Sequence, residues 1–297
     1  MARIARSILL LGCIAAWSGL ILQAEGPNRV NVAFSQASFP DVAMSDVRAA
    51  MALWTEEVTR NVKGIDAFNT RIYPSVDAMV DAMREGSADI AVMPTLEYFK
   101  VERRLDADLG FVSSQGTGGY HRFLLIIQAG LPAQQIRDLK GLRFCHVAGD
   151  TLGLLFLNHA LLQQRLPEMD RFFETVEARA KGSQALNNVF FGRAEACLVT
   201  EEAYRTTVAM NPQIERKVRV LVSSSKMYGA LAVYRKGYPP QLRQRVLEAV
   251  NELKRYPRGA QILNLFQAAE IQKATESDLA ESRRLYREYR QMKGRLL

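Results

Sequence analysis

The sequence predicts an α/β fold of two similar lobes joined by crossing strands, and three observations carry that expectation. The chain has 297 residues, more than one average small domain and enough for two lobes of roughly 100–150 residues each. A pattern of cap, amphipathic helix, glycine, Ala-acid and buried strand occurs twice, over residues 75–93 and 183–199. Two apolar runs, 123–128 and 230–234, bracket the central region and are placed to cross between the lobes.

The chain opens on Arg3 and Arg6, an almost wholly apolar run over 8–22, and the small Ala24 ahead of polar Glu25, Gly26, Pro27 and Asn28. This reads as a secretory signal peptide over residues 1–24. Leu22 stands where a small residue is expected two places before Ala24, so an uncleaved anchor or a cut after Ser18 stays open. Leu10-Leu11-Gly12-Cys13 resembles a bacterial lipoprotein box, a further alternative. No later stretch approaches the roughly 20 apolar residues of a membrane span. The composition, 48% hydrophobic and 24% charged, is that of a chain with a buried core. The net charge of +8 is carried by basic residues mixed with acids, as in Arg283, Arg284, Arg287, Glu288 and Arg290. That pattern fits a solvated helix face, and no nucleic-acid partner is expected.

Each element follows from local pattern. Residues 29–34 read as a strand, with a loop rich in Ser35, Gln36, Ser38 and Pro40 after it. Val47, Ala50, Met51, Trp54, Val58 and Val62 recur at helical spacing, with Ser45 or Asp46 as cap. Residues 68–73 form a strand, Ser75 caps a helix with an apolar face of Val76, Met79, Val80 and Met83, and Gly86 stops it before the buried strand 88–93. In the second copy Ser183 precedes Leu186, Val189 and Phe190, Gly192 ends the helix, and Ala194-Glu195 leads into 196–199. The repeated acid is expected at the strand's edge, in water. Between the copies, strand 142–148 runs into Gly149-Asp150-Thr151-Leu152-Gly153 and a helix; such turns at strand carboxyl ends line ligand crevices in open α/β sheets. Pro239 and Pro240 open a helix, and 277–291 form a mostly charged helix expected to pack back on the first lobe. The lobes therefore divide as 27–121 with 229–297, and 122–228, and the hinge falls near 120–123 and 228–231. Outside the leader only Cys145 and Cys197 remain, read as two buried free thiols, although a disulfide is permitted.

Tyr73-Pro74-Ser75, Gly86-Ser87-Ala88-Asp89-Ile90-Ala91, Gly119-Tyr120, Asp138-Leu139-Lys140-Gly141 and Gly192-Arg193-Ala194-Glu195-Ala196 together resemble the phosphonate-type periplasmic solute-binding proteins. The similarity runs in order through nearly the whole chain after the leader. It implies a type II periplasmic binding fold of two Rossmann-like lobes, a small-molecule ligand between them, and delivery to an ABC importer. The sequence departs from the family at one telling place. Where the family commonly has a hydroxyl-rich run whose free amides hold a phosphoryl group, this chain has Asp150-Thr151-Leu152-Gly153. A second departure is Arg122, where the family often has a small hydroxyl residue; an arginine there is placed to bind a carboxylate or phosphate in bidentate fashion.

The candidate ligand-binding residues are Gln36, Thr95, Tyr98, Tyr120, Arg122, Asp150, Thr151 and Thr200. Each has a plainer alternative. Asp150 and Thr151 serve as helix caps in any protein, Tyr120 as a half-buried strand aromatic, and Arg122 as a solvated charge. No metal or organic cofactor is expected, since no ligand-spaced Cys/His/Asp cluster occurs after the leader. His121, His146 and His159 are isolated, and His146 points to the opposite strand face from Cys145. No Gly-x-Ser-x-Gly elbow, phosphate-binding Gly-Lys loop or His-Glu-x-x-His helix occurs. The reading is an exported solute-binding protein and not an enzyme, its ligand small, with a phosphonate-, phosphate- or carboxylate-bearing anion among the candidates, its partner an ABC permease. A membrane sensor as partner and an enzyme on the same fold are the alternatives.

Overall fold

The computed structural model describes residues 28–39, 42–61, 64–114, 120–253, 255–265 and 270–294. The leader, Pro40, Val62 and Gly119 lie outside the described residues. In strand β1 (Arg29–Ser35), Val30, Val32 and Phe34 face one side and Ala33 the other. Helix α1 (Met44–Asn61) covers the first side with Val47, Met51, Trp54 and Val58. Strand β2 (Ala67–Tyr73) pairs parallel with β1. Helix α2 (Val76–Arg84) starts where the Ser75 hydroxyl accepts the Ala78 amide at 3.2 Å, and it covers the second side with Met79, Val80 and Met83. Gly86 then turns the chain at φ +73°, a left-handed conformation that side-chain-bearing residues adopt only with strain. The turn feeds β3 (Ile90–Pro94), parallel to β1, and α3 (Thr95–Val101) and β4 (Ala107–Ser114) follow.

The central region repeats the plan. It runs β5 (Phe123–Gln128), β6 (Arg143–Val147), α4 (Thr151–Gln163), α5 (Met169–Phe172), β7 (Thr175–Arg179), α6 (Gly182–Phe190), β8 (Ala196–Thr200), α7 (Glu201–Met210), α8 (Gln213–Lys217) and β9 (Val218–Ser223). Gly192, at φ +71°, makes the same left-handed turn as Gly86. The chain then returns through β10 (Ala230–Arg235), α9 (Pro240–Leu253), α10 (Pro257–Leu265), β11 (Glu270–Lys273) and α11 (Glu276–Gly294).

Two sheets result, ordered β11-β4-β10-β3-β1-β2 and β7-β6-β8-β5-β9. Each has a parallel trio, β2-β1-β3 or β7-β6-β8, flanked by an antiparallel strand, β10 or β5. Each antiparallel strand also carries a register shift against its outer neighbour, at Ala232/Val233 and at Leu125/Ile126. The two lobes are therefore built alike, and the chain passes from one to the other between β4 and β5 and back between β9 and β10.

The repeated acid differs from expectation. Asp89 is 5% exposed and accepts from the Asn31 amide at 3.1 Å, the Asn31 side chain at 2.8 Å and Arg235 at 3.0 Å. Glu195 does the same work in the other lobe, accepting the Arg143 amide at 2.9 Å and pairing with its guanidinium. Each acid pins a residue near the start of the neighbouring parallel strand, the third of β1 or the first of β6, because the turn delivers its carboxylate onto that residue's amide. An acid is thus held inward by a strand end and an arginine.

The crossing segments meet at His121 and Met227. The His121 amide donates to the Met227 carbonyl at 2.6 Å, and the Met227 amide donates back at 2.8 Å. Helix α11 is a third connection. Expected against the first lobe, it packs there with Leu279 and Arg283, the latter paired with Glu102, and then places Leu285, Tyr286 and Tyr289 on the second lobe. Glu288 accepts from buried His159 at 2.7 Å, and Lys293 reaches Glu168 at 3.0 Å. Its polar sequence hid this, since only Leu279, Ser282 and Leu285 are buried. Cys145 and Cys197 are register partners on β6 and β8, both free and buried.

Candidate functional site

A cavity of about 640 Å³ lies between the lobes, at the carboxyl ends of both parallel trios. The second lobe supplies the starts of three helices: Asp150 and Thr151 at α4, Lys181 and Gly182 at α6, and Thr200 and Ala203 at α7. Their dipoles direct partial positive charge toward the cavity. His121 and Phe123, around the start of β5, complete this wall, with their rings stacked at 6.1 Å. The opposite wall comes from the first lobe: Ser38 and Phe39 after β1, and Pro94, Leu96, Glu97 and Lys100 around α3. The Glu97 carboxylate accepts from the Ser35 hydroxyl, and the Ser38 hydroxyl is enclosed without a hydrogen-bond partner.

Asp150 caps α4 by accepting the Gly153 amide at 3.3 Å. Burial nevertheless pushes its carboxyl up to about 6, because the low-polarity surroundings penalise the charge more than one amide repays. Burial likewise lowers the pKa of the His121 imidazole, disfavouring its protonated form. A Cβ on Gly153 would stand 2.9 Å from the Phe123 ring, so only glycine lets the first turn of α4 approach that wall. The cavity also reaches under the first lobe's sheet, where Phe34, Trp54 and Phe111 face Val246, Val250 and Leu263. These residues belong to the first lobe's core, with Trp54 edge-on to Phe34 at 5.4 Å.

Of the eight candidates, Asp150, Thr151 and Thr200 line this cavity together. The other five take different places. Thr95 is fully buried and holds the return crossing, its hydroxyl donating to Tyr228 O at 2.6 Å and its amide to Gly229 O at 3.0 Å. Tyr98 packs beside Phe99, with its phenol pKa raised by burial. Tyr120 lies under the Lys226 ammonium at 4.0 Å, and Gln36 is exposed. Arg122 is set against Glu201 at 3.8 Å, and alternation along the strand turns it away from the side taken by His121 and Phe123. Lys181 and Gly182 were not among the candidates, although the repeat marks the helix they open. Phe34, in the strand expected over 29–34, and Trp54, in the apolar stripe of the following helix, are both core and cavity wall. Among the described residues no cluster of three or more His, Cys, Asp or Glu side chains is placed to hold a metal.

A family model described as "ABC transporter, phosphonate, periplasmic substrate-binding protein" matches residues 37–279. The chain belongs to this phosphonate-type periplasmic substrate-binding family. None of the curated proteins is significantly similar in sequence. Among solved structures, XAC2383 from Xanthomonas citri bound to ATP is 14% identical with a TM-score of 0.59, over 90% of this chain and 98% of that one. PhnD1 from Prochlorococcus marinus in complex with methylphosphonate is 14% identical, TM-score 0.57, over 90% and 99%. A binding protein component of an ABC phosphonate transporter from Pseudomonas aeruginosa is 13% identical, TM-score 0.57, over 90% and 88%. At these identities the likeness is one of fold, the type II periplasmic binding fold, which this substrate-binding family member shares. No helix among its described residues is long and apolar enough to cross a membrane.

Proposed function

We propose that this chain is an exported receptor that holds a small organic ligand between its lobes and presents it, chemically unchanged, to the permease of an ABC importer. The observation that carries this reading is the cavity itself. Its walls come from both lobes at the strand carboxyl ends, and the lobes are linked through two crossing segments and one helix. A ligand touching both walls favours the closed arrangement by its differential contacts. Asp150, Thr151 and Thr200 are the residues proposed to meet it from the second lobe. Export is supported by the basic, apolar and small-residue leader, and the chain recovered from its host should begin at or near Glu25.

Mass spectrometry of whatever copurifies identifies the ligand. Small-angle scattering with and without that compound tests the mechanism. The radius of gyration is expected to fall on saturation, and an unchanged curve rejects capture by lobe closure. Recovery of the compound chemically altered would reject the receptor role in favour of an enzyme.

A further inference from the structure

The starts of α4, α6 and α7 meet the cavity from the second lobe, and their dipoles favour an anion there. The side chains around them add little enclosed positive charge. Lys181 and, across the cleft, Lys100 are exposed residues, whose long chains carry their ammonium groups into water. Arg122 is set against Glu201. Asp150, by contrast, is half-buried and lines the cavity at the opening of α4. One of its carboxyl oxygens accepts the Gly153 amide at 3.3 Å, and the second is the one that can meet a ligand.

An oxyanion held at these helix starts therefore stands beside a carboxyl group. Two like charges so placed in a poorly solvated site repel strongly. One proton between them removes the repulsion, because the protonated oxygen then donates a hydrogen bond to the ionised one. Burial already favours a proton on Asp150, raising its pKa to about 6 against the pull of the Gly153 amide. The other titratable groups lining the cavity are Glu97 and Lys100 around α3, Lys181 at α6 and His121 beside β5. Glu97 is engaged by the Ser35 hydroxyl of its own lobe, and burial disfavours the protonated His121 ring. On α11, Glu288 pairs with His159, further along α4.

We propose that Asp150 sets the specificity of the receptor by sharing one proton with the bound oxyanion, so that an acid still carrying a dissociable proton, a phosphonate, is selected over a fully ionised sulfonate. This inference rests on the receptor reading and adds the residue that discriminates among oxyanions. A phosphonate monoanion brings the shared proton with it and meets the ionised carboxylate directly. A sulfonate has none to bring, so its capture draws a proton from solution onto Asp150. The amides and hydroxyls at the three helix starts serve both ligands alike, and the carboxyl group alone tells them apart.

The test is calorimetry on the purified chain with methylphosphonate and methanesulfonate, in buffers of differing ionisation enthalpy so that protons taken up are counted. Methanesulfonate affinity should be level at low pH and fall about tenfold per pH unit above the Asp150 value of about 6, with about one proton taken up per ligand at pH 8. Methylphosphonate keeps its last proton to near neutral pH, so its advantage over methanesulfonate should grow about tenfold between pH 5 and pH 7.5. At pH 9, where it is fully ionised, its capture should likewise take up about one proton. Asp150→Asn caps α4 equally and presents an amide N–H at every pH. It should make methanesulfonate affinity level from pH 5 to pH 8 and abolish the uptake; if it does not fold, Asp150→Ser, another capping residue, takes its place. A pH dependence that persists in the variant belongs to His121 and overturns the proposal. Binding of either ligand without proton uptake where both groups are ionised, or failure of both to bind, also overturns it. These outcomes leave the receptor reading standing, which fails separately through a copurifying compound that leaves the scattering curve unchanged at saturation.

Discussion

Asp150 does two things that pull stability in opposite directions. As a cap it satisfies the Gly153 amide, and as a desolvated carboxylate it disfavours the ionised fold at neutral pH. Its folded pKa, about 6, lies above its unfolded value, so the fold binds the proton more tightly. The associated stability is complete at low pH and is lost as pH rises through about 6. Asparagine caps as well as aspartate does. Asp150→Asn should therefore raise stability by about 1–2 kcal/mol at pH 7.5, discounted for partial exposure, and leave it unchanged near pH 4. Thermal melts across that range check both the size and the sign. Arg122 makes the contrasting case. It stands 3.8 Å from Glu201 on a 37% exposed side chain, so Arg122→Ala should change affinity for the copurifying ligand less than about fivefold, under about 1 kcal/mol, by calorimetry. At this scale the sequence was informative about residues whose role is local. Asp150, Thr151 and Thr200 sit at helix starts, and helix starts are marked by cap chemistry. Whether Arg122 points into a cleft depends on strand phase relative to a distant wall, which one sequence does not encode locally.

Among the elements, the repeated unit was legible because every piece of it leaves a local mark: a hydroxyl cap, a 3.6-residue apolar stripe, a left-handed glycine, an apolar strand. Asp89 and Glu195 were legible as part of the pattern but not in their role, since their partners, Asn31 and Arg143, lie 58 and 52 residues away. Helix α11 was legible as a helix, while its placement across both lobes was not. Three buried residues along a mostly charged helix give no indication of which surface they meet. Leu285 is 3% exposed within the second lobe's core. Leu285→Ala should cost about 2–4 kcal/mol, by lost burial and the space left behind, and denaturant unfolding measures it. A cost near zero would mean that the helix is only loosely seated on that lobe.

Among the described residues there are four apolar clusters, and α11 contributes to one in each lobe through Leu279 and Leu285. Domains joined by small contacts commonly unfold apart. Here the continuous helix couples them, so calorimetry on the unaltered chain should show one transition, and Leu285→Ala should broaden or split it as the second lobe is released. Two resolved transitions in the unaltered chain would show that the coupling is weak.

Helix α11 also bears on how many ways the lobes can move. Two extended segments bridged at His121 and Met227 act like a pin: one pair of hydrogen bonds holds them together without fixing the angle between the lobes. A stiff rod fastened to one body through Leu279 and Arg283, and to the other through Leu285, Glu288 and Tyr289, resists any rotation that would change its own length or shear its side chains. A pin and a rod together leave the lobes fewer ways to move than a pin alone, which favours the two cavity walls meeting in one facing register.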